Sequence, residues 1–261
     1  VTPDSFSDGG RFLRPQQAIE QGCRMAAEGA DLIDIGGESA RPGAPQVSEQ
    51  EELDRVIPVV EKLGREVGLP LSIDTSKSVV AREAVSAGAD FVNDVSGLTF
   101  DTEMAGMVAD SGAGLIIMHT RGRPEVMQQD TRYADLFAEV VASLNSSIEV
   151  AVSAGIVIGK IAIDPGIGFG KDVAGNLELL RRTADLVDLG RPVMLGTSRK
   201  SFIGRVLGKD DPAGRLAGTL ATVALGYAGG ARLFRVHDVA AAREAARMAQ
   251  AVCKGAEWVG H

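Results

Sequence analysis

The stretch Ile163-Asp164-Pro165-Gly166-Ile167-Gly168-Phe169-Gly170-Lys171 (IDPGIGFGK) decides how this chain is read. Lys160-Ile161-Ala162 stand directly before it, so an apolar strand ends in a carboxylate, a proline and a run with three glycines. Such a strand delivers Asp164 to one edge of a sheet. The glycines let a ligand lie against the backbone, because they carry no side chain to hold it off. A phosphate-binding P-loop is excluded, because Pro165 stands where its first Gly belongs and Asp172 follows the lysine. A dinucleotide fingerprint is excluded as well, because its third glycine would fall on Lys171.

Working outward, a weak repeat surrounds the stretch. It reads AAEGADLIDIGG (Ala26 to Gly37), AVSAGADFVNDVSG (Ala84 to Gly97), VADSGAGLIIMHT (Val108 to Thr120) and LGYAGGARLFRVHD (Leu225 to Asp238). Each copy holds a helix end, a glycine that can cap it, a short apolar strand and a polar residue at the strand's end. Further strands follow Pro70, Ile158 and Pro192. Between strands lie helical periods, with Leu53, Val56, Ile57, Val60 and Leu63 on one face. Strands that are apolar nearly throughout and alternate with helices predict a parallel sheet buried on both sides.

The predicted strands lie near 31–35, 71–74, 91–95, 114–118, 160–164, 192–196 and 231–236. The loop Thr2 to Gly10 feeds a helix from about Pro15, which is the second half of a βα unit. An eighth strand is therefore expected before Val1. Eight such units form a closed (βα)8 TIM barrel of about 250 residues. With no linker or low-complexity run in sight, residues 1–261 are expected to form one domain.

Bulk properties agree. The chain of 261 residues is 45% hydrophobic, enough for a sizeable core, with only 4% aromatic and 32 glycines. A formal net charge of −8 argues against a nucleic-acid partner. No apolar run approaches the roughly 20 residues of a membrane span, and no signal peptide is visible. Cys23 and Cys253 match no metal or redox spacing, as expected of a reduced, cytoplasmic protein.

In such barrels the active site lies at the carboxyl ends of the strands. Those ends read Asp34, Asp74, Asn93 with Asp94, His119, Asp164, Ser198-Arg199-Lys200, then Arg235 and His237. Asp74, Asn93 and Asp164 offer acceptors for a neutral heterocycle rich in N–H donors. Lys200, Arg235 and His237, with Arg41, offer cations for phosphate or carboxylate. Ser198 suits the cap of the next helix, whose amino end favours an anion. The rim therefore reads as a site for a heterocycle joined to an anion. Asp94 alternates with Asn93 and should face away. Asp34 reads as the pin of the Gly36-Gly37 turn, His119 as loop structure without a visible partner, and Arg121-Gly-Arg123 as a solvated loop. Glu49 to Glu52 reads as an acidic helix start and nothing more.

These residues carry a resemblance. TPDSFSDGG (Thr2 to Gly10), IDIGGESARPGA (Ile33 to Ala44), SIDTSK (Ser72 to Lys77), NDVSG (Asn93 to Gly97), MHTRGRPEVMQ (Met118 to Gln128), DPGIGFGK (Asp164 to Lys171), SRKSFIG (Ser198 to Gly204) and RVHD (Arg235 to Asp238) resemble the dihydropteroate synthase family, in the expected order. The resemblance implies a transferase of folate synthesis, a sulfonamide target, that joins 6-hydroxymethyl-7,8-dihydropterin pyrophosphate to p-aminobenzoate. By resemblance, Asp74, Asn93 and Asp164 hold the amino-pyrimidine edge, Lys200 reaches the carbonyl side, Gly196 lines the pterin, and Met118 and Phe169 sandwich its ring. Arg235, His237 and Arg41 hold the departing pyrophosphate, assisted by Mg2+. Phe6 and Pro42 close over p-aminobenzoate together with Ser201. Lys200, Asp164, Arg235 and His237 are the residues expected to carry the reaction, in a homodimer.

Two departures stand out. By resemblance, the family's metal-ligating Asn is expected before Val1, so no metal ligand is expected among residues 1–261. The family reads Glu-Ser-Thr-Arg-Pro where this chain has Ala40, which removes a hydroxyl contact of roughly 1 kcal/mol. Two alternatives are a catalytically silent pterin-binding paralogue and a methyltransferase acting on methyltetrahydrofolate. The second has no need of SRKS, RVHD or the TPDSFSDGG loop.

Overall fold

The computed structural model describes residues 15–41 and 43–258. Helix α1 (Pro15–Ala27) leads into seven βα units. These are β1 (Ile33–Gly36) with α2 (Glu49–Glu66), β2 (Leu71–Asp74) with α3 (Ser78–Ser86), and β3 (Phe91–Asp94) with α4 (Met104–Ser111). They continue with β4 (Gly114–Met118) and α5 (Leu136–Ser153), then β5 (Ile161–Asp164) with α6 (Val173–Arg181) and α7 (Thr183–Val187). The series closes with β6 (Met194–Leu195), α8 (Ser201–Leu207) and α9 (Leu216–Ala228), then β7 (Leu233–Phe234) with α10 (Val239–Lys254). The seven expected strands all appear, most of them shorter than the sequence predicts.

Every pairing is parallel and follows chain order from β1 to β5, and β6 pairs with β7. A single bridge from Ile163 to Val193 carries the series from β5 to β6. The result is a TIM-barrel architecture with its helices outside. Register decides which residue looks where, because neighbours on a strand face opposite sides. Ile33, Ile35, Leu71, Ile73, Val92, Leu115, Ile117, Ile161, Ile163, Val193 and Leu195 belong to the large core between strands and helices. The alternate set on β4, β5 and β6, Ile116, Ala162 and Met194, forms a separate small cluster that fills the barrel interior. Above this apolar plug the same inward face turns polar, with Asp34, Asp74, Asn93 and Asp164.

The helices form for local reasons as well. Ser48, Asp135 and Asp172 each cap a helix by accepting a backbone N–H, from Glu51, Ala138 and Gly175 respectively. On α2 the expected face is observed: Val56, Val60 and Leu63 are buried and Leu53 and Ile57 pack against them. Glu52 is the exception. It is 1% exposed rather than a bland charge at the helix start. Helix α5 is long and apolar enough to cross a membrane by length and composition (18 residues, mean hydropathy 1.3). Here it is an outer helix of the barrel, burying Phe137, Val140, Leu144 and Ala151.

Candidate active site

The strand ends bring Asp34, Asp74 and Asn93 together with Arg235. The Arg235 guanidinium donates from Nε to Asp34 Oδ2 at 2.6 Å and from Nη2 to Asp74 Oδ2 at 2.9 Å. Asn93 Nδ2 donates to the same Asp34 oxygen at 3.3 Å. Asp34 therefore does not pin the Gly36-Gly37 turn, as the sequence reading expects. Ile33 and Ile35 face the helices, so the residue between them must face the barrel interior. Asp94, by contrast, turns outward as expected and accepts from the Ser96 and Leu98 backbones, both at 2.8 Å.

Two buried acceptors in this group have no protein partner, Asp34 Oδ1 and Asn93 Oδ1. A buried acceptor left unpaired is costly, so both oxygens are open to N–H donors from outside the protein. Burial pushes the Asp74 carboxyl up to about 7; Arg235 opposes this while Asp34, Glu52 and Asp94 add to it. Burial also works against the charge on Arg235, but Asp34 and Asp74 outweigh it and raise its pKa.

Asp164 is 4% exposed and accepts from Gly166 N at 2.7 Å through Oδ1. Burial raises its pKa against that bond and the nearby Lys200. Its Oδ2 faces Gly196, where an added Cβ would lie 3.8 Å away. Lys200 lies over the glycine loop. Its Nζ bonds the Ile167 carbonyl and stands 4.1 Å from the centre of the Phe169 ring. Gly168 has a φ of +84°, and a Cβ there would come within 2.8 Å of Lys200 Cδ, so this position requires glycine. Burial pushes the Lys200 ammonium down to about 7, with Asp164 opposing. Met118 ends β4 opposite Asp164 in register and is buried.

The loops after β6 and β7 are joined twice. Ser198 Oγ lies 2.8 Å from His237 Nδ1 and accepts from the His237 backbone at 3.2 Å. One residue on, Arg199 grips Asp238 at 2.9 and 2.5 Å. Arg199 has a φ of +57°, a strained value for a side-chain-bearing residue. Burial, then Arg235 and Arg199, push His237 down to about 4, so its ring is neutral at neutral pH.

Ala40 and Arg41 sit half-buried on the loop after β1. Ala40 lines a recess beside Asp74 that is shared with Ser39, Thr75, Ser76 and Arg123. Gly43 N donates to the Pro124 carbonyl at 2.9 Å, which joins this loop to the one after β4. Ser201 opens α8 and is exposed. Phe6 and Pro42 lie outside the described residues. Among the described residues no group of three or more His, Cys, Asp or Glu side chains is placed to hold a metal ion.

The chain matches the family described as "Pterin binding enzyme" over residues 1–237. It is 47% identical over 252 residues to the dihydropteroate synthase of Synechocystis sp., covering 97% of this chain and 87% of that protein. The chain belongs to the dihydropteroate synthase family. Solved structures of the family superpose closely. The Yersinia pestis dihydropteroate synthase, in complex with a sulfonamide drug, matches with a TM-score of 0.94 and 43% identity, covering 98% of this chain and 92% of that one. The Xanthomonas albilineans dihydropteroate synthase with 4-aminobenzoic acid matches with a TM-score of 0.90 and 47% identity, covering 97% and 90%.

Beside the expected residues of a dihydropteroate synthase, the structure shows three that sequence reading misplaced. Asp34 is one. His119 is the second, for it has a partner: its Nδ1 lies 2.9 Å from Lys171 Nζ. Glu52 is the third. Lys77 Nζ bonds both Glu52 and Glu38 at 2.6 Å, tying α2 and the loop after β1 to the loop after β2. The alternation on β1 carries the signal for Asp34. Nothing in local spacing announces the other two, because their partners lie 52 and 25 residues away.

Proposed function

We propose that the chain condenses 6-hydroxymethyl-7,8-dihydropterin pyrophosphate with p-aminobenzoate, giving 7,8-dihydropteroate and pyrophosphate. The observation that carries this reading is the unpaired buried acceptor Asn93 Oδ1, set beside Asp74, Asp164, Lys200 and Arg235 at one barrel mouth. Acceptors on one side and cations on the other match a neutral ring carrying an anion. Family membership supports the same chemistry.

In this reading Asp164, Asn93 and Asp74 accept from the amino-pyrimidine N–H groups. Lys200 leaves the Ile167 carbonyl and donates to the ring's carbonyl oxygen. Met118 and Phe169 lie on the two faces of the ring, and Gly196 leaves room beside Asp164. Arg235 commits two of its five N–H groups to Asp34 and Asp74 and offers others to the diphosphate. Ser198 Oγ is bonded to both the backbone N–H and Nδ1 of His237 and holds the neutral ring in place; with the ring proton on Nε2, that nitrogen is a donor for phosphate oxygen.

The carbon–oxygen bond breaks with its electron pair leaving on pyrophosphate; the Arg235 cation and the neutral His237 donor, not the cation the sequence suggests, stabilise the growing negative charge. The carboxylates stabilise the cationic pterin methylene that remains. The amine nitrogen of p-aminobenzoate forms the new carbon–nitrogen bond and its proton passes to solvent. No base with an activated nucleophile is needed. On the diphosphate side the described residues Arg235 and His237 are hydrogen-bond donors suited to an anion.

Arg41, Ser201 and the loop bearing Ala40 border the p-aminobenzoate end. Helices α9 and α10 expose Leu225, Met248 and Val252 at 69%, 64% and 67%, which supports a homodimer built on that face. The deciding experiment measures pyrophosphate release from the pterin diphosphate with and without p-aminobenzoate. Release coupled to dihydropteroate formation, and abolished in Lys200→Ala and Asp164→Ala, is expected. Pterin binding without release in either condition would identify a silent paralogue instead.

A further inference from the structure

The loop from Gly166 to Gly170 is held in an unusual way, because all five of its carbonyls accept from side chains. Lys171 Nζ takes Gly166 O at 2.9 Å and Phe169 O at 2.8 Å. Lys200 takes Ile167 O, Gln128 Nε2 takes Gly168 O at 2.9 Å, and Tyr133 Oη takes Gly170 O at 2.9 Å. Two lysines therefore grip one short loop, yet their surroundings differ. Lys200 lies in the barrel mouth, facing the ligand site. Lys171 is 4% exposed behind the loop, and its third donor meets His119 Nδ1 at 2.9 Å.

His119 directly follows Met118, and its backbone N–H donates to the Asp164 carbonyl at 3.0 Å. Lys171 thus bonds the residue next to one wall of the pterin slot and the carbonyl of the other wall, Phe169. Burial pushes the Lys171 pKa down to about 7, with Asp164 opposing, and in the ammonium form each of its three donors has a defined acceptor at good distance. The anchor is rigid because its cost of moving is high: any shift strands a buried donor. Burial, and then the Lys171 charge, push His119 down to about 3, so its ring stays a neutral acceptor.

We propose that Lys171 is a positioning residue that fixes the gap between Met118 and Phe169 and thereby sets the enzyme's affinity for the flat pterin ring. Lys200 and Lys171 divide the work: one lets go of the loop to meet the ligand, and the other holds the loop while it does so. The proposal rests on the reading of Met118 and Phe169 as the two walls.

The test compares full-length Lys171→Met, His119→Gln, His119→Leu and Phe169→Ala, using the pterin diphosphate as probe. Lys171→Met is expected to raise the pterin KM by roughly tenfold while changing kcat and the p-aminobenzoate KM by less than about threefold. His119→Gln keeps an acceptor and should stay within about threefold of the parent, whereas His119→Leu should follow Lys171→Met. A merely structural role would lower the unfolding midpoint and the active fraction without moving KM. Should Lys171→Met fail to fold, the His119 pair decides: equal pterin KM in the Gln and Leu variants overturns the proposal. An unchanged pterin KM in folded Lys171→Met overturns it too. Phe169→Ala separates the two levels. If it weakens pterin binding while Lys171→Met and His119→Leu do not, only the anchor is wrong. If it leaves pterin binding unchanged, the walls themselves are misassigned.

Discussion

Arg235 Nε stands 2.6 Å from Asp34 Oδ2, so a side chain just after β7 is bonded to one on β1, at the two ends of the strand series. Its Nη2 reaches on to Asp74 on β2. Removing the guanidinium leaves two carboxylates facing each other in a low-dielectric interior. Arg235→Met is expected to lower stability by about 2–3 kcal/mol, the low side for a broken buried pair because 38% of the Arg235 side chain meets solvent. Arg235→Met/Asp34→Asn should recover part of it. Denaturant titration checks both; equal losses in the single and double variants would remove Asp34 from the account.

The elevated Asp74 carboxyl makes stability depend on pH in an unusual direction. Its folded pKa of about 7 lies above the unfolded value of 3.8, so the folded protein keeps a proton that the unfolded chain has released. Stability from this group therefore falls as pH rises from about 4 to about 7. The ligand-free protein should lose more stability between about pH 5 and about pH 8 than Asp74→Asn does. Parallel pH profiles for the two proteins would place the proton elsewhere.

Gly166 has no room for a side chain. A Cβ there would lie 1.8 Å from the His119 carbonyl oxygen, on a backbone with φ of +71°. Gly166→Ala should cost more than about 3 kcal/mol or fail to yield folded protein. Gly159 meets nothing within 4 Å, and Gly159→Ala should stay within about 0.5 kcal/mol of the parent. Thermal unfolding of the two alanine variants side by side gives the comparison.

Lys77 neutralises Glu52, which is 1% exposed, and Glu38, which is 20% exposed. Lys77→Met strands the Glu52 charge and should cost about 3 kcal/mol, while Lys77→Met/Glu52→Leu should regain most of it because water still reaches Glu38. A double variant no more stable than Lys77→Met would mean that Lys77 acts chiefly through Glu38.

The strands and their inward polar ends were legible because both rest on local pattern. Period-two alternation by itself places Asn93 inward and Asp94 outward, and glycine runs mark the loop after β5. The same rule was available for Asp34, but a nearby Gly-Gly pair offered a competing local explanation. Lys171 with His119, and Lys77 with Glu52, were not legible. Each is a contact between loops or helices far apart in the chain, and a buried lysine looks like a solvated one in sequence. The recess at Ala40 depends on four loops at once, and short-range pattern cannot foresee that.

The bonds from Ser198 to His237 and from Arg199 to Asp238 join consecutive residues on one loop to consecutive residues on another. An inserted residue in either loop would put both pairs out of step together. The two segments therefore act as a couple: variants carrying a length change in either loop should lose both contacts at once, and a charge removed at 199 should be tolerated best when the one at 238 is removed with it.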